Sequence, residues 1–263
     1  MNPEISEFSY GYAITEELIH VHVTPITAAP VFPTLYQEGQ IGGGYDVEIR
    51  GPAVPLFIQF KLCHCLTTRN AALVKTGDLT IPYYRMNLMP RRHSRQHQLL
   101  LDLESAGNDV YYCAPGFYEK REFDNAYRNQ QVCNRSIWLM PSNIGSLPDQ
   151  DDHYVAFKQP TDGYFYFCSD PREITASIDF GAVYKRLVRK LVSISDGQMP
   201  KVDFAKIAKD VIEKTGYRDL LSVTDNALDS RIDQLPPVAQ LAAVSSRMLA
   251  SQLYIATLSQ ETT

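Results

Sequence analysis

Three polar residues early in the chain are spaced so that their side chains could act together. Asp46 lies in segment 45–49, where polar and apolar residues alternate as in a strand, and Gln59 and Lys61 lie two apart in the apolar segment 56–62. Side chains two apart in a strand leave the same face, and a hairpin of the two segments would bring Asp46 beside them. The pattern predicts a carboxylate, an amide oxygen and an ammonium group at one point.

Such a group of side chains suits the hydrolysis of a phosphodiester. Oxygen ligands hold a hard cation such as Mg²⁺ or Mn²⁺, which polarises a phosphoryl oxygen and lowers the pKa of a bound water. A lysine can orient that water and stabilise the charge that gathers on the phosphate. A second interpretation stays open, in which Asp46 and Lys61 form a cross-strand ion pair and Gln59 faces solvent.

The segment GGGYDVEIRGPAVPLFIQFK, residues 42–61, resembles the PD-(D/E)XK nuclease superfamily in its Gln-x-Lys variant. In that family an Asp on one strand precedes (E/Q)-x-K on the next, with a helix before the hairpin and another after it. The resemblance covers residues 6–115. This sequence departs from the family in two places: Tyr45 stands where the proline would be, and the stretch between Lys61 and the next helix is long.

The resemblance implies specific roles for residues of this chain. Metal would be bound by Asp46, Gln59 and the backbone carbonyl of Phe60, with Mg²⁺ or Mn²⁺ as the cofactor. Lys61 would activate the water, and Glu17 on the upstream helix would support the metal or the water.

Two further acids stay open as members of the site. Glu16 is the alternative to Glu17 on the upstream helix, and Glu48 shares the predicted face of Asp46. Glu48 is either a further ligand or a surface acid.

Two basic clusters could contact phosphates. One precedes a predicted helix and the other has helical spacing within the C-terminal part, and either could instead be a solvated face. Their candidate nucleic-acid contacts are Arg91, Arg92 and Arg95 in the first cluster and Lys185 and Arg189 in the second.

The elements around these residues predict a mixed α/β (α+β) core, and the resemblance implies that it holds a restriction-endonuclease-like sheet flanked by helices. Residues 1–175 form the predicted core, and residues 176–263 form a predicted helical subdomain. The predicted strands cover 45–49, 56–62, 109–114, 136–140 and 164–168. The first predicted helix covers 6–23, with Phe8, Tyr12, Leu18 and Ile19 as its apolar side. The other predicted helices are one over 94–105 capped by Ser94, two capped by Asp179 and Asp203, and a last one from Pro236 to Gln260.

Composition limits the class of protein. The chain has 263 residues, a formal net charge of −5 and ordinary hydrophobic and charged fractions, as a globular protein has. No apolar run is long enough to span a bilayer and no secretory signal is evident, so we expect a cytoplasmic protein with no membrane partner. Its five cysteines are expected to be free thiols.

Together these observations predict a metal-dependent endonuclease with a nucleic-acid partner, DNA rather than RNA, plausible in restriction or defence against foreign DNA. A protein partner in a defence complex is a further possibility. The alternative is a catalytically inactive nuclease-like scaffold that binds a protein or nucleic acid. An apolar seam in the last helix (Leu241, Val244, Met248, Ile255 and Leu258) could pack on the protein's own core or on the same helix of a second copy, and of the two we favour a homodimer.

Overall fold

The chain is a mixed α/β protein, in agreement with the predicted fold class. The computed structural model describes residues 1–20, 52–69, 73, 79–158, 165–167, 172–174, 179–217, 232–233 and 235–257. Its helices are α1 (Glu7–His20), α2 (Gln96–Ser105), α3 (Lys120–Arg128), α4 (Pro141–Ile144), α5 (Phe180–Ser195), α6 (Phe204–Thr215) and α7 (Pro237–Leu249). Its strands are β1 (Ala53–Phe60), β2 (Cys63–Leu66), β3 (Tyr83–Asn87), β4 (Asp109–Pro115), β5 (Ser136–Leu139), β6 (Tyr154–Phe157), β7 (Phe165–Phe167), β8 (Arg172–Ile174) and β9 (Gln252–Thr257).

Two sheets organise the fold. The first has the order β5-β4-β1-β9, and the second has the order β2-β3-β6-β7-β8. In the first sheet β1 runs parallel to β4 and antiparallel to β9. Every residue of β1 and β4 is buried, which explains why both read as nearly continuous apolar runs: a central strand needs apolar side chains on both faces.

Helices cover both faces of this sheet. Leu56, Ile58 and Phe60 of β1 pack on one face with residues of α1 and α5. Phe57 packs on the other face with residues of α2, α6 and α7. The alternation along β1 therefore decides which set of helices each of its side chains meets.

Helix α1 buries Leu18 as predicted, but it exposes Phe8 and Tyr12. Phe8 and Tyr12 are 68% and 52% exposed, whereas the buried residues of the helix are Tyr10, Ala13, Ile14, Thr15, Glu17 and Leu18. The prediction from Phe8 and Tyr12 is therefore wrong, because these two aromatic side chains face solvent. Gly11 permits the close approach to β1, because a Cβ there would lie 3.0 Å from Cδ2 of Phe60.

The predicted hairpin of segments 45–49 and 56–62 is wrong where β1 already has two neighbours. Between Leu56 and Ile58 one edge of β1 pairs with β4 and the other pairs with β9. No edge is left there for a hairpin partner. Gln59 and Lys61 thus lie beside β4, which comes roughly fifty residues later in the chain.

The C-terminal part is not a purely helical subdomain. The predicted last helix stops at Leu249, and β9 then joins the first sheet beside β1. The predicted dimer seam is also wrong, because Leu241 and Val244 are buried in the protein's own core and Ile255 lies in a strand. Leu258 lies outside the described residues. The seam therefore gives no support to a homodimer.

Several local predictions are confirmed. The Asp179 and Asp203 side chains accept hydrogen bonds from the backbone N–H groups of Ala182 and Lys206, at 2.7 and 2.9 Å, and so cap α5 and α6. Strands β4, β5 and β7 occur where they were predicted. The predicted cap of α2 is wrong by one residue, because Arg95 occupies the N-cap position and Ser94 precedes it, although the Ser94 hydroxyl accepts from the N–H of Gln96. Leu99, Leu100 and Leu103 form its buried side.

Four of the five cysteines, Cys63, Cys65, Cys113 and Cys133, are buried free thiols, as predicted, and Cys168 lies outside the described residues. In the described parts of the chain, no helix has the length and apolar character that crossing a membrane requires.

Candidate functional site

Gln59 is a buried polar residue at the end of the central strand. It is 1% exposed and lies next to Tyr112 in the parallel pair of β1 and β4. Being two residues beyond Phe57, it faces the side of the sheet that α2 and α7 cover. Its Oε1 accepts no hydrogen bond from any described residue. A buried amide oxygen without a donor costs stability, so it is an atom for which a ligand is to be sought.

Lys61 follows the last residue of β1. Its backbone N–H donates to the carbonyl of Cys113 at 2.9 Å, which extends the parallel ladder by one residue. The side chain is half-buried, and this burial lowers the pKa of its ammonium group, while the carboxylate of Glu7 raises it. Burial raises the pKa of Glu7 and Lys61 lowers it. The backbone geometry and the electrostatics thus hold Lys61 where β1, β4 and the start of α1 meet.

Glu7, which acts on the pKa of Lys61, was not among the predicted site residues. It is an acid in the first turn of α1, where a carboxylate also interacts favourably with the helix dipole. Its position in the first turn was visible in the sequence, but its closeness to Lys61 depends on the packing of α1 against β1.

Two other members of the predicted site, Asp46 and Glu48, lie outside the described residues. Phe60 has a buried side chain, which packs edge-on against Tyr10 with the ring centroids 5.8 Å apart. The predicted metal contact of Phe60 concerns only its backbone carbonyl, so this packing is compatible with it.

Glu17 lies on the other side of the sheet from Gln59. It is 2% exposed, and its Oε2 accepts from the backbone N–H groups of Val132 and Cys133 at 2.7 and 3.2 Å. Burial raises its pKa, and these two hydrogen bonds lower it. Val132 and Cys133 lie in the loop between α3 and β5, and they belong to the same core cluster as Phe60. The structure therefore does not bring Glu17 to Gln59, and the observed contacts make it an anchor of that loop. Its neighbour Glu16 is half-buried.

A hydrogen-bonded pair of aromatic rings lies one strand away from Gln59. The Tyr112 hydroxyl is 2.8 Å from Nδ1 of His97, and Nε2 of His97 is 2.7 Å from the carbonyl oxygen of Gly145. A carbonyl can only accept, so Nε2 carries the proton and Nδ1 accepts from the hydroxyl. His97 is buried.

The first basic cluster surrounds the N-terminus of α2. Arg91 donates to the carbonyl of Leu147 at 3.1 Å, and Arg92 forms an ion pair with Asp152 at 2.6 Å. Arg95 is exposed, and together with Arg91 and Ser94 it lines a hollow of about 260 Å³. Arg91 and Arg92 thus already have protein partners, which leaves Arg95 as the most available cation of this cluster.

The second basic cluster spans residues 185–190 of α5, and its four basic side chains have two different roles. Arg186 and Lys190 hold the buried carboxylate of Asp109, with N–O distances of 2.6 and 2.7 Å. Lys185 and Arg189, the two residues predicted to contact nucleic acid, are exposed on α5. Only the latter pair is presented to an external partner.

Within the described ranges, no group of three His, Cys, Asp or Glu side chains is arranged to hold a metal ion. Comparisons with protein-family models, with curated proteins and with solved structures found no match.

Proposed function

We propose that the protein is a metal-dependent nuclease whose site lies at the C-terminal ends of β1 and β4. The observation that carries this proposal is the buried, unpartnered Oε1 of Gln59, two residues before the half-buried Lys61. A neutral amide oxygen is a hard ligand of the kind that Mg²⁺ and Mn²⁺ accept. An orphaned oxygen in this position therefore fits a bound cation.

Gln59, the carbonyl of Phe60 and Asp46 would hold the cation. When bound, it would polarise the phosphoryl oxygen and acidify a water molecule. Lys61 supplies a positive charge immediately after the same strand. Because this charge is partly removed from solvent, it interacts with a phosphate more strongly than an exposed lysine would.

The substrate would be gripped by the exposed cations described above. Arg95, Lys185 and Arg189 extend from α2 and α5 and could contact backbone phosphates without reading the base sequence. DNA remains the proposed substrate, with defence against foreign DNA as the proposed role and the cytoplasm as the proposed location.

The test is a cleavage assay of the purified protein on single- and double-stranded DNA and RNA, with Mg²⁺, with Mn²⁺ and with EDTA. We expect cleavage with either metal and none with EDTA. Lys61→Met should abolish cleavage, whereas Lys185→Met, the matched change on an exposed lysine, should weaken substrate binding without abolishing cleavage. Equal cleavage in EDTA would contradict the proposal.

A separate measurement distinguishes an enzyme from an inactive scaffold. Electron paramagnetic resonance of Mn²⁺ reports binding to the protein without any need for turnover. Loss of the bound-Mn²⁺ signal in Gln59→Leu would support the site even if the correct substrate had not been found. Nucleic-acid binding with neither Mn²⁺ binding nor cleavage would favour the scaffold.

A further inference from the structure

A second site is suggested by a cleft at the opposite end of the central strands. It has a volume of about 750 Å³ and opens beside Val54, near the start of β1, and Asp109, at the start of β4. Val54 is five residues before Gln59, which corresponds to about 16 Å along a strand. The cleft is therefore separate from the proposed nuclease site, and its volume is in the range that small-molecule sites occupy.

The cleft has an apolar wall. Helix α2 contributes Leu99 and Leu103, α6 contributes Ile207 and Val211, and α7 contributes Leu249. Ile207 is only partly buried, so it can lose further exposure when a ligand packs against it. This wall suits a hydrocarbon or aromatic body rather than a fully polar ligand.

The rim of the cleft is cationic. Lys201, Lys206 and Lys214 are exposed, and among the described residues none of these three forms an ion pair. A fourth lysine, Lys190, borders the cleft at Asp109.

The acidic side chains that line the cleft do not balance the charge of its lysines. Asp109 is neutralised by Lys190 and Arg186, and the Asp203 carboxylate caps α6 through the N–H of Lys206. Asp210 is the third acid in the lining. The lining holds four lysines and three aspartates, so the local field favours an anion.

We infer that this cleft binds a small amphipathic anion. Its apolar body would lie against Leu103, Ile207 and Val211, and its carboxylate, sulfonate or phosphate would lie at Lys206 and Lys214. Two families of molecule share this chemistry, namely aliphatic carboxylates and nucleotides. The inference is independent of the nuclease proposal, because the two sites share no residue.

The first experiment uses the dye 1-anilinonaphthalene-8-sulfonate, an apolar aromatic body with one sulfonate, on the intact chain. We expect one saturable site. Lys206→Glu/Lys214→Glu should raise the Kd at least tenfold, while Lys185→Glu, an exposed lysine outside the cleft, should leave it within twofold. Binding of the uncharged analogue N-phenyl-1-naphthylamine should not respond to the charge reversal.

A second variant tests the apolar wall. Ile207→Trp should fill the cleft and weaken both dyes, and circular dichroism melting should confirm that each variant is folded. Competition then assigns the body of the ligand: displacement by dodecanoate indicates an aliphatic one, and displacement by adenosine monophosphate indicates a nucleotide. Absence of saturable binding, an unchanged Kd in the double lysine variant, or failure of both competitors would overturn the inference.

Discussion

The hydroxyl of Tyr112 in β4 donates a hydrogen bond to Nδ1 of His97 in the first turn of α2, across 2.8 Å. With Nε2 bonded to the carbonyl of Gly145, both ring nitrogens are occupied only while the imidazole is neutral. A second proton would have to displace the Tyr112 hydrogen from Nδ1.

This pair predicts a pH dependence of stability. Burial lowers the pKa of His97 below its ordinary 6.5, so between the lowered value and 6.5 the unfolded chain binds more protons than the folded one. The contribution of His97 to stability is therefore complete above pH 6.5 and is lost as the pH falls below it.

Urea unfolding at pH 8 and pH 5.5 measures this effect. The free energy of unfolding should fall between the two pH values more steeply in the parent than in His97→Gln, which has no titrating ring. The exposed His93 provides the control variant His93→Gln, which should behave as the parent does. An equal decrease in all three proteins would show that His97 does not titrate as described.

Gln59 predicts that stability and function oppose each other. Gln59→Leu replaces a buried amide, whose Oε1 accepts no hydrogen bond, with an apolar group of similar shape, which should stabilise the metal-free protein by about 1–2 kcal/mol. The same change should abolish Mn²⁺ binding and cleavage. Urea unfolding in EDTA measures the first effect. Gln98→Leu, at an exposed amide that bonds Asp102, is the control and should not stabilise. A destabilised Gln59→Leu would mean that the amide has a partner.

Lys61 and Glu7 predict a shift in the pH–rate profile. Because burial lowers the Lys61 pKa, its ammonium form is lost below the ordinary 10.5, and cleavage should decline on the alkaline side below that pH. Glu7 raises the Lys61 pKa, so Glu7→Gln should move the alkaline decline to lower pH. Glu4→Gln, at an exposed acid elsewhere in the N-terminal segment, should leave the profile in place. A shift in the opposite direction would exclude Lys61 as the titrating group.

In the ion-pair network of Asp109, we predict that removing the acid and removing its two basic partners lower the free energy of unfolding by different amounts. Asp109 is buried, whereas Arg186 and Lys190 are partly exposed and can turn towards water. Asp109→Asn should therefore cost about 1–3 kcal/mol. Arg186→Met/Lys190→Met leaves a buried carboxylate uncompensated and should cost about 3–5 kcal/mol. Urea unfolding of both variants at pH 7 measures the two decreases in the free energy of unfolding. A larger decrease in Asp109→Asn than in the double variant would contradict this prediction.

Features that depend on neighbours in sequence were predictable. The capping acids Asp179 and Asp203 identify helix starts, because a side chain that accepts from an N–H three residues ahead needs no tertiary partner. The apolar run of β1 likewise indicated a strand, although the strand covers Ala53–Phe60 rather than 56–62, so that Lys61 follows its last residue.

Features that depend on distant partners were not predictable. Strand β9 continues the apolar character of α7, and the chain turns between them at Ala250, a non-glycine residue with φ +44° that gives no sequence signal of a helix end. The effect of Glu7 on the Lys61 pKa and the burial of His97 depend on how helices pack on the sheet. Periodicity along the chain does not contain that information.

The pairing of β9 with β1 has a consequence for how the protein is made. Ala53 of β1 lies opposite Thr257 of β9, roughly two hundred residues later in the chain. At a synthesis rate of about 5–20 residues per second, β1 waits on the order of 10–40 s for this partner. During that interval a mostly apolar strand has one hydrogen-bonding edge open, which is a template for pairing between nascent chains. We therefore expect soluble yield to depend on translation speed and on chaperones that cover exposed strand edges.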